Sequence, residues 1–187
     1  PVKKIAEVAH ECNLPFHVDA VQSVGHLAVD VKKMNCDFLS ASGHKFGAMK
    51  GTGFLFTKDS SKLTSLINGG KQESGKRPGT ENVLGIISMA AALEDAVEHM
   101  YERNNYIGGL RDQLLYNLLQ IDGARQNGSY AERTKSNINI RFDGVSGARL
   151  VTLCSLYGIC ISSGSACNEG VATPSHVLKA IGLSDEE

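Results

Sequence analysis

The chain has 187 residues, 42% hydrophobic and 21% charged, and its 19 Lys and Arg against 20 Asp and Glu leave a formal net charge of −1. That length allows one domain or parts of two, with enough apolar residues to bury a core, which excludes wholesale disorder. The balanced charge argues against a nucleic-acid surface, which needs surplus Lys and Arg to displace counterions; no apolar run approaches the roughly 20 residues of a membrane helix, and no secretory leader is visible, so a soluble, cytosolic protein is expected.

In chain order, Val2 to Cys12 carries Val2, Ile5, Ala6, Val8, Ala9 and Cys12 on one helical stripe, and Asn13 to Pro15 ends it. Phe16 to Asp19 is short and apolar, then abruptly acidic, as a strand with a functional end would be. Asp37 to Ala41 repeats that form, and Thr52 to Thr57 is a third strand, preceded by glycines. From Glu81 the apolar positions Leu84, Ile87, Ala91, Val97, Tyr101, Leu110, Leu114 and Leu118 recur at helical spacing, which predicts long helices. Asp122 to Tyr130 reads as a polar loop. Asn137 to Phe142 reads as a half-buried strand with Ile138, Ile140 and Phe142 on one face. Ala148 to Tyr157 is helical and stopped by Gly158; Ile159 to Ile161 is a brief strand; Pro174 to Ile181 is a last helix closed by Gly182. The order predicts an α/β layer architecture with ligand groups at strand ends, followed from near Val97 by a smaller α+β part.

The five cysteines, Cys12, Cys36, Cys154, Cys160 and Cys167, are odd in number and irregularly spaced, and neither they nor the six histidines form a zinc pattern. Cys160, between Ile159 and Ile161, and Cys154, in an apolar helical run, are expected to be buried structural residues. Gly70 to Lys76 matches the start of a phosphate-binding loop, but Arg77 stands where a Ser or Thr should ligate magnesium, and Pro78 interrupts what should be a helix.

The densest chemistry lies between His17 and Lys45. Asp19 ends one strand, Gln22 lies in the turn after it, and Ser42-Gly43-His44-Lys45 closes the next. A carboxylate and an amine at neighbouring strand ends suit an aldehyde cofactor with a phosphate and a ring nitrogen. Lys45 would condense with the aldehyde and Asp19 would hold a proton on the ring nitrogen. The alternative is a plain surface ion pair between Asp19 and Lys45 with a solvated His44. Cys167 has a separate argument: small residues, Ser162-Ser163-Gly164-Ser165-Ala166, precede it, a setting for an exposed thiol rather than a core cysteine, which on these residues alone is equally a reactive nucleophile or a loop cysteine with no role.

The strings His17-Val18-Asp19-Ala20-Val21-Gln22 and Ser42-Gly43-His44-Lys45, with Gly69-Gly70, Gln72-Glu73, Gly79-Thr80-Glu81-Asn82, Ser162 to Cys167 and Pro174 to Leu183, closely resemble the cysteine desulfurases of the NifS/IscS type, class V aminotransferase relatives dependent on pyridoxal 5'-phosphate. The resemblance implies a fold-type I large domain, mainly parallel sheet with helices, over residues 1–97, and part of a small α+β domain with the catalytic cysteine loop over 98–187. It implies that Lys45 binds the cofactor, that Asp19 pairs with the pyridine nitrogen and Gln22 contacts the phenolic oxygen. Ser42 would bind phosphate beside Gly43, His44 would line the site, and Thr80 would reach the partner's cofactor phosphate in a homodimer. Cys167 would take sulfur from L-cysteine as a persulfide and present it to an acceptor protein, an iron–sulfur scaffold or a thiolation protein. Related readings are a selenocysteine lyase or another pyridoxal-phosphate lyase; a different one is a silent fragment or binding module. The pattern departs from the family at Met49, where proline is usual, at Lys71, at Ser74 and at Asn168-Glu169. The family's upstream cofactor-stacking histidine and downstream substrate-binding arginine have no counterpart, so the chain is expected to be a fragment with little activity of its own.

Overall fold

The computed structural model describes residues 1–131, 133–163 and 175–184. The chain divides into two compact units, Pro1–Asn104 and Asn105–Glu187.

In the first unit, the helical stripe predicted at the start is α1 (Val2–Glu11), which buries Ala6. Asn13, at φ +57°, then turns the chain into β1 (His17–Asp19). Asp30 caps the short α2 (Val31–Met34), its Oδ1 accepting from the N–H groups of Lys32 and Lys33 at 3.0 and 3.1 Å, which satisfies donors a helix start leaves free. β2 (Phe38–Ser42) follows, then a single 3-10 turn at Gly43–Phe46, then β3 (Gly53–Thr57). β1 and β2 pair in parallel, with Asp19 opposite Ser40; β2 and β3 pair antiparallel, with Ser42 opposite Gly53. The mainly parallel sheet expected for the α/β architecture is thus represented by β1 and β2. β3 reverses because the connection after Phe46 is a tight turn with Gly47 and Gly51 at φ +99° and +86°, too short for a crossover helix.

β2 is the spine of this unit. Its alternation puts Leu39, 1% exposed, and Ala41 on one face, where they pack with Ala20, Val24, Cys36, Phe46 and Ala96. Burying Leu39 alone contributes about 1.5–3 kcal/mol. Burial also pushes the Cys36 thiol above its ordinary range, so it remains a neutral core group. Past β3 come a turn at Gln72–Gly75 (α3), in which Glu73 and Ser74 take left-handed angles, and the long helix α4 (Val83–Glu98). Asn82 caps α4, its Oδ1 accepting from Gly85 N–H at 3.2 Å. α5 (Met100–Leu118) continues after a break at His99. No helix of the described residues is long and apolar enough to cross a membrane.

A hydrogen-bonded clip ties α1 to the residue that precedes β2. The Asp37 carboxylate accepts from His10 Nε2 at 2.8 Å and from Phe16 N–H at 2.9 Å, while Asn35 Nδ2 contacts His10 Nδ1 at 3.3 Å. These bonds, the one from His10 first, hold the Asp37 carboxyl below its ordinary range. A carboxyl whose folded pKa is depressed adds stability above its unfolded pKa of about 3.9, and that stability is lost as pH falls through the folded value. Asp37→Asn is therefore expected to cost about 1–3 kcal/mol at pH 7 in urea unfolding, with the gap to the parent closing below about pH 4. A gap of equal size at pH 3 and pH 7 would contradict the assignment.

The second unit holds β4 (Ala124–Gln126) and β5 (Ile140–Phe142), paired antiparallel with Ala124 opposite Phe142, then α6 (Gly147–Leu156) and α7 (His176–Ala180). Three expectations change here. The segment read as a loop contains β4, because Ala-Arg-Gln has no β-branched or aromatic residue to mark a strand and forms one only through its partner. β5 is shorter than expected, although the pairing reaches one residue further through Asn127 N–H to Asn139 O at 2.9 Å. Ile159 to Ile161 is not a strand in the described residues. No strand of the described residues pairs with it, so its alternation has no face to bury there, and Cys160, expected inside, is exposed.

Candidate functional site

Parallel pairing of β1 and β2 brings the C-terminal ends of both strands to one edge of the sheet, where open α/β sheets bind ligands. Asp19 is the last residue of β1 and exposed; Ser42 is the last of β2, and the chain turns at once through Gly43, His44 and Lys45. This one edge therefore gathers five of the residues singled out in the sequence. Gln22 lies exposed in the turn that follows β1.

Local contacts explain why these residues stand where they do. Asp19 Oδ1 accepts from Val21 N–H at 3.0 Å, which bends the chain away after the strand; among the described residues no hydrogen bond engages Oδ2. The Ser42 hydroxyl and His44 Nδ1 are joined at 2.9 Å, with His44 exposed. Gly43 is buried, and its N–H is committed to Thr52 O at 2.9 Å. A Cβ there would stand 3.0 Å from Ala48 Cβ and 3.1 Å from Thr52 Oγ1, so glycine lets the turn close on the start of β3. Gly47 caps the turn, its N–H bonding to Gly43 O.

Lys45 is half-buried in the middle of this turn. The ion pairs of the described residues include neither Asp19 nor Lys45, which removes the plain surface pair as an account of the two. The Lys45 carbonyl is held instead by His26 Nε2 at 2.9 Å, and the His26 carbonyl accepts from Asn104 Nδ2 at 2.8 Å. Gly25, at φ +80°, fits against Phe46, the residue after Lys45. Sequence reasoning did not single out Gly25, His26 or Asn104, since no motif spacing signals contacts of 19 and 78 residues.

The loop beyond the turn is anchored to α4. Met49 N–H donates to Ser88 Oγ at 3.1 Å, a bond that the proline usual in the resembling family could not make, and Thr52 Oγ1 donates to Met49 O at 2.9 Å. Thr80 does not join the strand-end group directly. It is exposed and lines an open recess of about 210 Å³ between Gly51–Gly53 and Arg77–Asn82. Gln72 Oε1 accepts from Gly79 N–H at 3.2 Å and braces that loop. Cys167 lies outside the described residues.

Chemically, the edge offers an amine, a free carboxylate oxygen, a hydroxyl and an imidazole. That donor set could hold a group bearing an aldehyde, a ring nitrogen and a phosphate, with the amine as the covalent anchor.

The family model for aminotransferase class-V matches residues 1–184. The chain is 44% identical over 186 residues to cysteine desulfurase IscS of Methanosarcina thermophila, covering 100% of this chain and 46% of that protein. It is 43% identical over 182 residues to cysteine desulfurase of Gluconacetobacter diazotrophicus, covering 97% and 46%. Among solved structures, a NifS-like protein superposes with a TM-score of 0.87 at 32% identity, covering 100% of this chain and 48% of that one. SspA in complex with cysteine does so with a TM-score of 0.76 at 34% identity, covering 100% and 51%. The chain spans about half the length of the curated relatives it matches. A family model matched almost from end to end and a shared α/β fold agree with the strand-end geometry, and the chain belongs to the class-V aminotransferase family.

Proposed function

We propose that the protein is a cysteine desulfurase that uses pyridoxal 5'-phosphate to convert L-cysteine to L-alanine and passes the sulfur, as a persulfide on Cys167, to an acceptor protein. The observation that carries this reading is the delivery of Asp19 and Ser42–Lys45 to one end of a parallel strand pair. Relatives named cysteine desulfurase at 43–44% identity support it. In this reading residues 1–97 belong to the large domain and 98–187 to the small one.

When bound, the cofactor supplies an electron sink for the carbon that bears the substrate amine. Lys45 Nζ is the covalent anchor and then the group that carries protons to and from the substrate. Asp19, whose Oδ1 accepts from Val21 N–H, would hold the proton on the ring nitrogen, and Gln22 in the adjoining turn would serve the phenolic oxygen. The Ser42 hydroxyl contributes to the phosphate seat, Gly43 contributes by the absence of a Cβ, and His44 lines the entrance beside Ser42. Thr80, on the glycine-rich recess, is the residue that would serve the second subunit's phosphate in a homodimer.

The net reaction balances without an outside oxidant. The carbon–sulfur bond of cysteine breaks, the β-carbon takes a proton, and the sulfur leaves as sulfane sulfur joined to the Cys167 thiol. The thiolate is the attacking form, and transfer to the acceptor is a second exchange of the same kind.

The test is turnover of L-cysteine by the full-length protein supplied with pyridoxal phosphate and a thiol reductant that releases the persulfide sulfur as sulfide, with alanine and sulfide measured together. Cys167→Ser is expected to keep the visible absorbance of bound cofactor and to lose sulfur transfer by at least about 100-fold. Sulfide release at the parental rate by that variant would remove Cys167 from the mechanism. Faster turnover of selenocysteine or cysteine sulfinate than of cysteine would reassign the substrate.

A further inference from the structure

We propose that His26 is a positioning residue for Lys45, holding the backbone of the 3-10 turn so that the amine stands at a fixed place over the strand ends. The inference rests on the reading of Lys45 as the cofactor-bearing amine and adds a residue to it.

The argument begins with the turn. Gly43–Phe46 is four residues long, and its closing hydrogen bonds, from Gly47 and Ala48 N–H, both go to Gly43 O. Among the described residues no backbone N–H outside the turn donates to the Lys45 carbonyl, which needs a partner from elsewhere. The partner is His26 Nε2 at 2.9 Å, half-buried in the loop after β1. A carbonyl oxygen only accepts, so Nε2 carries a proton, which is true of the imidazolium and of one neutral tautomer; the bond survives either charge state.

The His26 loop is itself fixed. Its Gly25 lies against the Phe46 side chain, its Val24 is in the core, and its His26 carbonyl is held by Asn104 on α5. One loop thus grips the two residues that end the turn, Lys45 by its carbonyl and Phe46 by its side chain. A lysine brings four flexible carbons to any reaction, so its backbone is where the protein can best restrict where the amine can reach. The same loop begins at Asp19 and contains Gln22, so His26 also sets the spacing between the amine and the acid-bearing strand end.

The experiment compares His26→Leu, which keeps bulk but cannot donate, with His26→Gln, which can, in the full-length protein loaded with pyridoxal phosphate. Borohydride is expected to fix the cofactor to Lys45 in the parent and in both variants. In His26→Leu, kcat for cysteine should fall about threefold to tenfold, the worth of one hydrogen bond, with KM nearly unchanged and with a displaced pH titration of the visible band. His26→Gln should recover most of both. Parental kcat and titration in His26→Leu, or an equal loss in His26→Gln, would overturn the proposal. A parent that takes up no cofactor at Lys45 would instead refute the functional reading beneath it. If His26→Leu does not fold, the His26 Nε2–H resonance of the ¹⁵N-labelled parent decides: coupling to Lys45 predicts that it moves when pyridoxal phosphate is added, and an unmoved resonance overturns the proposal.

Discussion

Lys45→Ala is expected to abolish both the visible absorbance of bound cofactor and desulfuration, with turnover falling by about 10³-fold or more. Two separate roles are lost together. The covalent anchor disappears, and so does the positioned base whose proton transfers contribute about 10²–10⁴-fold in comparable sites. The loss should not come from unfolding. Lys45 is only half-buried, its side chain has no ion-pair partner among the described residues, and the turn is held by the Gly43 carbonyl, His26 and the buried Phe46, all of which remain. Urea unfolding of Lys45→Ala should therefore match the parent within about 0.5 kcal/mol, as for substitutions outside packed or bonded sites. A variant that kept a tenth of parental turnover would show that another group carries the chemistry.

A large effect on folding is expected at Gly25. Its φ of +80° is left-handed, and an added Cβ would fall 2.5 Å from Phe46 Cβ and 3.4 Å from Ala96 Cβ. Phe46 is 7% exposed, and its Cβ, unlike the tip of a side chain, moves only with its backbone. Gly25→Ala thus combines left-handed strain, about 1–2 kcal/mol, with overpacking, about 1–3 kcal/mol, for a loss of about 2–5 kcal/mol. Gly47 supplies the comparison. It too has a positive φ, +99°, but an added Cβ meets nothing within 4 Å, so Gly47→Ala should show the strain alone. Equal losses in the two variants, measured by urea unfolding, would contradict the packing described for the Gly25 loop.

The parts of this fold that were legible in the sequence are those in which hydrophobic periodicity and a chemical signal coincide. β1 and β2 are short apolar runs that end on Asp19 and Ser42, and α1 and α4 carry stripes of helical spacing. What stayed hidden depends on a partner distant in the chain. β4 is a strand only because β5 lies beside it, and Ile159 to Ile161 has no such neighbour among the described residues. The same reason hid half of the candidate site. Asp19 and Lys45 could be read from residue type and motif, but the bond from His26 to the Lys45 carbonyl has no local signature, because any polar residue in that loop would leave the periodicity unchanged. Met49 shows the reverse: a departure visible in the sequence finds its reason in the Ser88 hydroxyl 39 residues away.

The account stands on one covalent bond, and mapping it is the most direct test. The full-length protein, incubated with pyridoxal phosphate, reduced with borohydride and digested, should carry the pyridoxyl group on the peptide containing Lys45 and on no other lysine at comparable occupancy. A label on a different lysine, or none at all, would contradict the placement of the amine at the end of β2.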